Sequence, residues 1–269
     1  MTPPALTSPP TGPLTLVTLG PAWGLPFQSS APFPVKLEAW LRLVGIPYTG
    51  RVENDPRKGP KGKSPWIETA EGAVGDSELI IRMLAQRHGV DSEAGLDARA
   101  RAEGLAWRRL FEEHFHQVWE LLTFCTPKGE AAADDFFQQL PKLPRPLIKL
   151  MMLRGLKKQL RARGMARHAL AEVEQMGIDD IDAAAAHLGE REFWIADRPT
   201  LTDCTAFAFL AVTIWTPPVS AVHERARGHA NLVAYCRRMG ARLFPERMGR
   251  LLPPGQPGSA RPSGGLAKG

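Results

Sequence analysis

APFPVKLEAWLRLVGIPY, residues 31–48, carries the pattern from which the architecture of this chain can be worked out. Val35, Leu37, Trp40, Leu41 and Val44 recur close to a 3.6-residue period, which predicts a helix over about 32–44. Gly45 stops it. Upstream, LTLVTL at 14–19 is a short apolar run ended by Gly20 and Pro21, and it predicts a buried strand. Residues 21–30, rich in Pro, Gly and Ser, make a loop between the two. A helix is thus launched from a turn just after an apolar strand.

Downstream, Tyr48 to Val52 reads as a second strand, and 54–63, dense in Lys, Gly and Pro, as a loop. Trp66 to Thr69 and Ala73-Val74 form a predicted hairpin around Glu71-Gly72. Asp76 then caps a helix through about Leu84. Strand, helix, strand, loop, strand, strand, helix is the order of a thioredoxin-like α/β unit. From Leu96 onward strand signals vanish. Helical patterns run over 98–123, 145–163, 169–175, 179–188, 202–214 and 231–244. The expected fold class is therefore α/β, a thioredoxin-like N-terminal domain over 14–90, plus an all-α C-terminal helical domain over 96–250. Residues 1–13 read as a disordered lead-in and 251–269 as a disordered tail.

The 269 residues, 43% hydrophobic and 23% charged, suit a globular chain with a sizeable core. No run approaches the ~18–20 apolar residues of a membrane span, and the first residues lack the pattern of a signal peptide. Cys125, Cys204 and Cys236 are far apart and without metal-ligand spacing, so buried free thiols in a cytoplasmic protein, and no metal, are expected. The net charge of +6 is uneven, because no acidic residue occurs between Phe136 and Leu170 while nine Lys and Arg do. That stretch, 142–167, reads as the solvated face of an amphipathic helix or as a peripheral contact with an anionic membrane. No zinc-finger spacing or interleaved aromatic pattern supports nucleic acid.

Four motifs in order resemble the glutathione S-transferase superfamily, most closely its metaxin and failed-axon-connections branch and the bacterial relatives of that branch. The first is APFPVKLEAWLR at 31–42, where the branch typically carries Ser-Pro-Phe-Cys followed by a Lys, an acidic residue and an aromatic. The second is PKGKSPWIE at 60–68 with Asp76-Ser77. The third is GMARH at 164–168, resembling Gly-x-Gly-Arg-His but with Ala166 at the second Gly. The fourth is ADRPTLTDCTA at 196–206. The resemblance covers roughly 14–250 and implies glutathione as co-substrate, a small electrophile as its partner and a homodimer as a candidate assembly.

In such a protein glutathione is the nucleophile and the chain must favour its thiolate. A free thiol has a pKa of about 8.5, and lowering it by ~2 units takes ~2.7 kcal/mol. A helix N-terminus and one hydroxyl donor supply that kind of preference. Ala31 stands where the resemblance implies a Ser or Cys, so Ser30 becomes the candidate catalytic hydroxyl, with an N-cap as its alternative role. Ser64-Pro65 is implied to be a cis turn that offers backbone beside Pro65 and Trp66 to an extended peptide. Asp76 and Ser77, at a helix start, suit the γ-glutamyl amine and carboxylate, or simply cap the helix. Thr200 and Asp203 read as a capping box. Trp107, Trp119 and Trp215 read as core or cleft lining, with 215–218 as the border of a second-substrate pocket. Ala31 and Pro34 exclude dithiol exchange. Two functions stay open: a glutathione transferase acting on small electrophiles, and a non-catalytic metaxin-like binding or scaffold module.

Overall fold

The computed structural model describes residues 13–138 and 144–248, so the expected tail and all of the lead-in except Pro13 lie outside it. β1 (Thr15–Thr18), α1 (Pro32–Leu43), β2 (Thr49–Val52), β3 (Trp66–Thr69), β4 (Gly72–Gly75) and α2 (Ser77–His88) form the first unit. The strand order is β2-β1-β3-β4, with β1 parallel to β2 and both other pairings antiparallel. Leu16 stands opposite Ile67, and Ile67 opposite Val74. Gly72 belongs to β4, so the turn tightens to Ala70 and Glu71. α1 starts with Pro32, tolerated because a helix start leaves that amide unpaired anyway. α2 runs on to His88 and ends at Gly89, whose φ of 62° is the left-handed cap glycine adopts freely.

The second unit is helical: α3 (Ala98–Arg109), α4 (His116–Phe124), α5 (Pro127–Phe137), α6 (Arg145–Ala162), α7 (Leu170–Leu188), α8 (Leu201–Trp215), α9 (Ala221–Gly228), α10 (Ala230–Leu243) and α11 (Pro245–Met248). A π-helical segment, Leu110–Phe115, joins α3 to α4. The break expected at 176–178 is absent. Gly177 sits inside α7 as a packing residue, since a Cβ there would stand 2.7 Å from Val118 and Val222. α5 and α9 were not expected; α5 is set by Thr126, whose hydroxyl accepts from the Gly129 amide, and by Pro127 in the first turn.

α8 is buried all round from Leu201 to Ile214, as a helix apolar on every side must be. α1 packs against it, and one continuous core runs from Leu16 and Trp40 to Phe209 and Met239. At the head of α8, Asp203 is fully buried and accepts from the Trp194 and Thr200 amides, the Thr200 hydroxyl and the Tyr235 hydroxyl. Burial pushes its carboxyl up against those donors. Lys36 is also fully buried, with Nζ 2.5 Å from Glu112 and 3.1 Å from Glu78. Burial pushes the Glu78 carboxyl up, but the Lys36 charge and hydrogen bond outweigh it and hold it below the usual range.

Asp203→Ala would strand several buried donors, each costing about 1–3 kcal/mol. A loss of about 2–4 kcal/mol is expected from the denaturant midpoint. Lys36→Met should cost about 3–5 kcal/mol, the usual price of breaking a buried ion pair from one side. A midpoint equal to the parent's in either case would show that the corresponding network is dispensable.

Candidate functional site

The N-terminus of α1 opens onto a cavity of about 400 Å³. Ser30, Ala31, Phe33 and Lys63-Ser64 form one wall, His116, Trp119, Glu120 and Phe124 of α4 another. Phe136 and Phe137 of α5, with Met152 and Leu156 of α6, form the roof. The α5–α6 hairpin has a small core of its own, Ala133, Phe137 and Leu153. The loop after β1 ties this roof down. The Trp23 amide donates to Asp135 at 2.5 Å, its indole N–H donates to the Ala132 carbonyl at 2.8 Å, and its ring stacks on Phe136.

At the helix end, Ala31 is the N-cap residue and supplies no side-chain cap. Its amide donates to the Ser29 hydroxyl at 3.2 Å. Ser30 is therefore not the cap. It lines the cavity, fully buried, with its hydroxyl 3.5 Å from the Gly20 carbonyl. Pro32 and Pro34 have no amide hydrogen, and the Val35 amide donates to the Ala31 carbonyl. Among the described residues the Phe33 N–H has no hydrogen-bond partner, which makes it the first-turn amide open to a ligand.

Ser64-Pro65 is cis, and Ser64 accepts from the Leu19 amide at 3.1 Å. Ser64 thus joins Ser30 in the cavity wall. Pro65 and Trp66 do not line it. Trp66 is buried, its ring packed under Gly59, where a Cβ would stand 2.8 Å away, and its backbone lies in the sheet opposite Val17 and Gly75. Asp76 and Ser77 lie outside the cavity lining, at the start of α2. Asp76 has φ +86°, a conformation a non-glycine residue rarely holds, and such outliers cluster at functional sites. Its Oδ1 accepts from the Glu78 and Leu79 amides, which leaves the Ser77 amide and hydroxyl, and Asp76 Oδ2, with Lys61 Nζ 4.0 Å away.

Trp215 is not at this cavity: it stacks on Phe27 and meets Phe207 edge-on, so residues 215–218 do not border it. Trp107 packs against Trp194 and His187, while Trp119 does line the cavity. Arg167 and His168 are exposed, the latter 3.8 Å from Glu172. The thiols are poor nucleophiles, since burial pushes Cys125 up to about 11 and Cys204 and Cys236 further. The basic stretch is partly neutralised from α5, because Lys149 pairs with Asp134 and Lys157 with Glu130.

Sequence reasoning missed His116 and Glu120. They stand one turn apart on the cavity face of α4, with His116 Nε2 3.7 Å from Glu120 Oε1. The His116 ring lies edge-on to Phe33 and Phe209 and is stacked on Trp119. Burial pushes its pKa down to about 3, with the Lys63 and Arg163 charges adding to the effect. Burial pushes the Glu120 carboxyl up, against the pull of the same two cations.

Residues 32–129 match the model of the glutathione S-transferase N-terminal domain, and 177–239 that of the C-terminal domain. The Drosophila melanogaster protein Failed axon connections is 27% identical over 81% of this chain, which spans only 55% of that protein's length. An isoprene-epoxide–glutathione S-transferase from a Rhodococcus species is also 27% identical, over 73% of this chain and 85% of its own. Mouse metaxin-1 is 25% identical over 87% of this chain and 76% of its own. Among solved structures, a Sphingobium β-etherase superposes with a TM-score of 0.59 at 19% identity, covering 88% of this chain and 98% of its own. A Methylobacterium radiotolerans glutathione S-transferase bound to glutathione sulfonate gives 0.57 at 20%, covering 92% and 98%.

The depressed His116 fixes a pH dependence. Between its ordinary value of 6.5 and about 3, the unfolded chain binds a proton that the native chain refuses. Stability should therefore fall as pH drops through that window. His116→Gln should remove this share of the acid loss in denaturation curves at stepped pH, and the His116 ring signals should not titrate above pH 5 by NMR. A His116 titration near 6.5 would contradict the burial argument.

Proposed function

This chain belongs to the glutathione S-transferase superfamily, and on that premise we propose that it binds glutathione and conjugates it to small electrophiles. The observation that carries the reading is the cavity at the start of α1, where Ser30, Ser64 and the first turn of the helix meet a volume walled largely by Phe33, Trp119, Phe124, Phe136 and Met152. The thiolate sits at that helix end, favoured by the dipole and the Phe33 N–H, with Ser30 as the nearby hydroxyl. The Ser64 backbone, beside the cis bond to Pro65, takes the cysteinyl part of the peptide. The γ-glutamyl end reaches the start of α2, its carboxylate on the Ser77 amide and hydroxyl and its amine on Asp76 Oδ2. The apolar walls of α4, α5 and α6 take the electrophile. An epoxide is the electrophile in the name of the Rhodococcus relative.

A second reading, a metaxin-like binding module, is favoured by Ala31 and by the outer face of α6. There Leu147, Leu150 and Met151 are exposed, 44–62%, beside Arg154 and Lys158, which have no ion pair among the described residues.

Calorimetric titration with glutathione tests the first reading. Binding is expected, weakened about tenfold or more by Asp76→Ala or Ser77→Ala, equivalent to about 1.4 kcal/mol. Ala31→Ser should lower the pH at which bound glutathione ionises, followed by thiolate absorbance across a pH series, by about one unit or more, since a hydrogen bond to a charged group contributes ~1.5–3 kcal/mol. If neither Ala31→Ser nor Ser30→Ala alters thiolate absorbance or turnover, the hydroxyl has no role and the binding-module reading is the better one.

A further inference from the structure

Glu120 is a carboxyl group in the wrong surroundings for a solvated charge. It lies on the cavity face of α4, its side chain only 20% exposed, among Trp119, Phe124 and the apolar roof of α5 and α6. It has no hydrogen bond among the described residues, and the nearest ring nitrogen, His116 Nε2, is beyond hydrogen-bond distance at 3.7 Å. The charges that face it are Lys63, from the loop before β3, and Arg163, just past α6; the other groups there are the His116 ring and the Gln159 amide of α6. A purely structural carboxylate would pair with one of those cations. Glu120 instead faces the volume where the second substrate would lie, and burial pushes its carboxyl up from the ordinary range against the pull of both cations.

We propose that Glu120 is the general acid of the conjugation, donating its proton to a departing oxygen, so that this cavity serves small apolar epoxides and related strained cyclic ethers. The inference rests on the glutathione-binding reading and adds to it the leaving-atom chemistry and the residue that serves it. The glutathione sulfur forms a bond to one ring carbon. The carbon–oxygen bond breaks, and its electron pair goes to the ring oxygen, which takes the proton from Glu120. The carboxylate is reprotonated from solvent, which balances the proton the thiol released on ionising. No other co-reactant is needed. A halide leaves as a stable anion and needs no such proton, so the acid matters for oxygen and not for halogen.

A positioned general acid contributes about 10²–10⁴-fold. The experiment compares full-length parent and Glu120→Gln, which keeps shape and a hydrogen-bond donor but transfers no proton. Turnover is read with glutathione plus styrene oxide and with glutathione plus chlorodinitrobenzene, and folding is checked by thermal midpoint. The ratio of styrene oxide to chlorodinitrobenzene turnover should fall at least tenfold. Only the acid form of Glu120 is competent, so in the parent the styrene oxide rate should decline on the alkaline side as Glu120 ionises. That decline should vanish in the variant. Glu120→Asp, one methylene shorter, should restore part of the ratio and the alkaline decline. An unchanged ratio in a folded Glu120→Gln variant that still binds glutathione overturns the general acid and leaves the transferase reading standing. Failure of the parent to bind glutathione overturns both.

Discussion

A fully buried ammonium group sets the register of this molecule's two halves within the core they share. Lys36 projects from α1 into a site with no exposure to water and meets Glu78 at the start of α2 and Glu112 in the π-helical segment between α3 and α4. An unpaired charge buried there would cost several kcal/mol, so the three elements have little freedom to drift apart. Arg109 closes the network from outside by pairing with the second oxygen of Glu112 at 2.8 Å. Two parts of the candidate glutathione site are thereby positioned together, because the free end of α1 and the Asp76-Ser77 corner are both within a turn of a residue in this network.

The far wall of the cavity depends on a different device. α4 follows the π-helical segment directly, and its cavity face presents His116, Trp119 and Glu120. The α5–α6 hairpin, with its own small aromatic core, is laid over that face. Trp23 fixes it through two hydrogen bonds and a stacked ring. The roof is therefore tethered to the loop that also leads into Ser30 and Ala31, so a change in roof position is felt at the helix end where a thiolate would sit.

How much of this the sequence discloses depends on the range of the signal. β1, α1, the hairpin and the Thr200–Asp203 cap are legible because each is written in a few adjacent residues. α5 and α9 are not: PKGEAAADDFF has large apolar residues only at its end, AVHERARG has only Val222, and neither shows a sustained helical period. The burial of Lys36 is invisible because its partners lie 42 and 76 residues away. Ser64 and Ser77 are findable from local motifs. His116 and Glu120 look like any polar pair one turn apart on a helix until the roof and the Phe33 wall enclose them. Trp215 errs the other way, since the break after α8 suggests a pocket border, whereas Phe27 crosses from the first unit to cover the ring.

The missing hydroxyl at Ala31 can be weighed against what the helix end retains. Lowering a thiol pKa by two units requires about 2.7 kcal/mol. A helix dipole contributes about 0.3–1 kcal/mol, rising to ~2 in partly buried settings. One charge-assisted hydrogen bond, here from the Phe33 amide, contributes about 1.5–3 kcal/mol. Those two alone span the requirement, and Lys63 in the cavity wall adds attraction of the same sign. Glu120, the one carboxyl lining the cavity among the described residues, would oppose a thiolate if ionised, and burial shifts it toward its uncharged form. The loss of a hydroxyl is thus met by a site with positive charge at its rim, a first-turn amide at its base and a carboxyl that burial pushes up. An upward shift of Glu120 acts on both ends of the proposed reaction, weakening its repulsion of the thiolate and favouring the acid form that a leaving oxygen needs, so activating the nucleophile and assisting the leaving oxygen draw on one electrostatic arrangement.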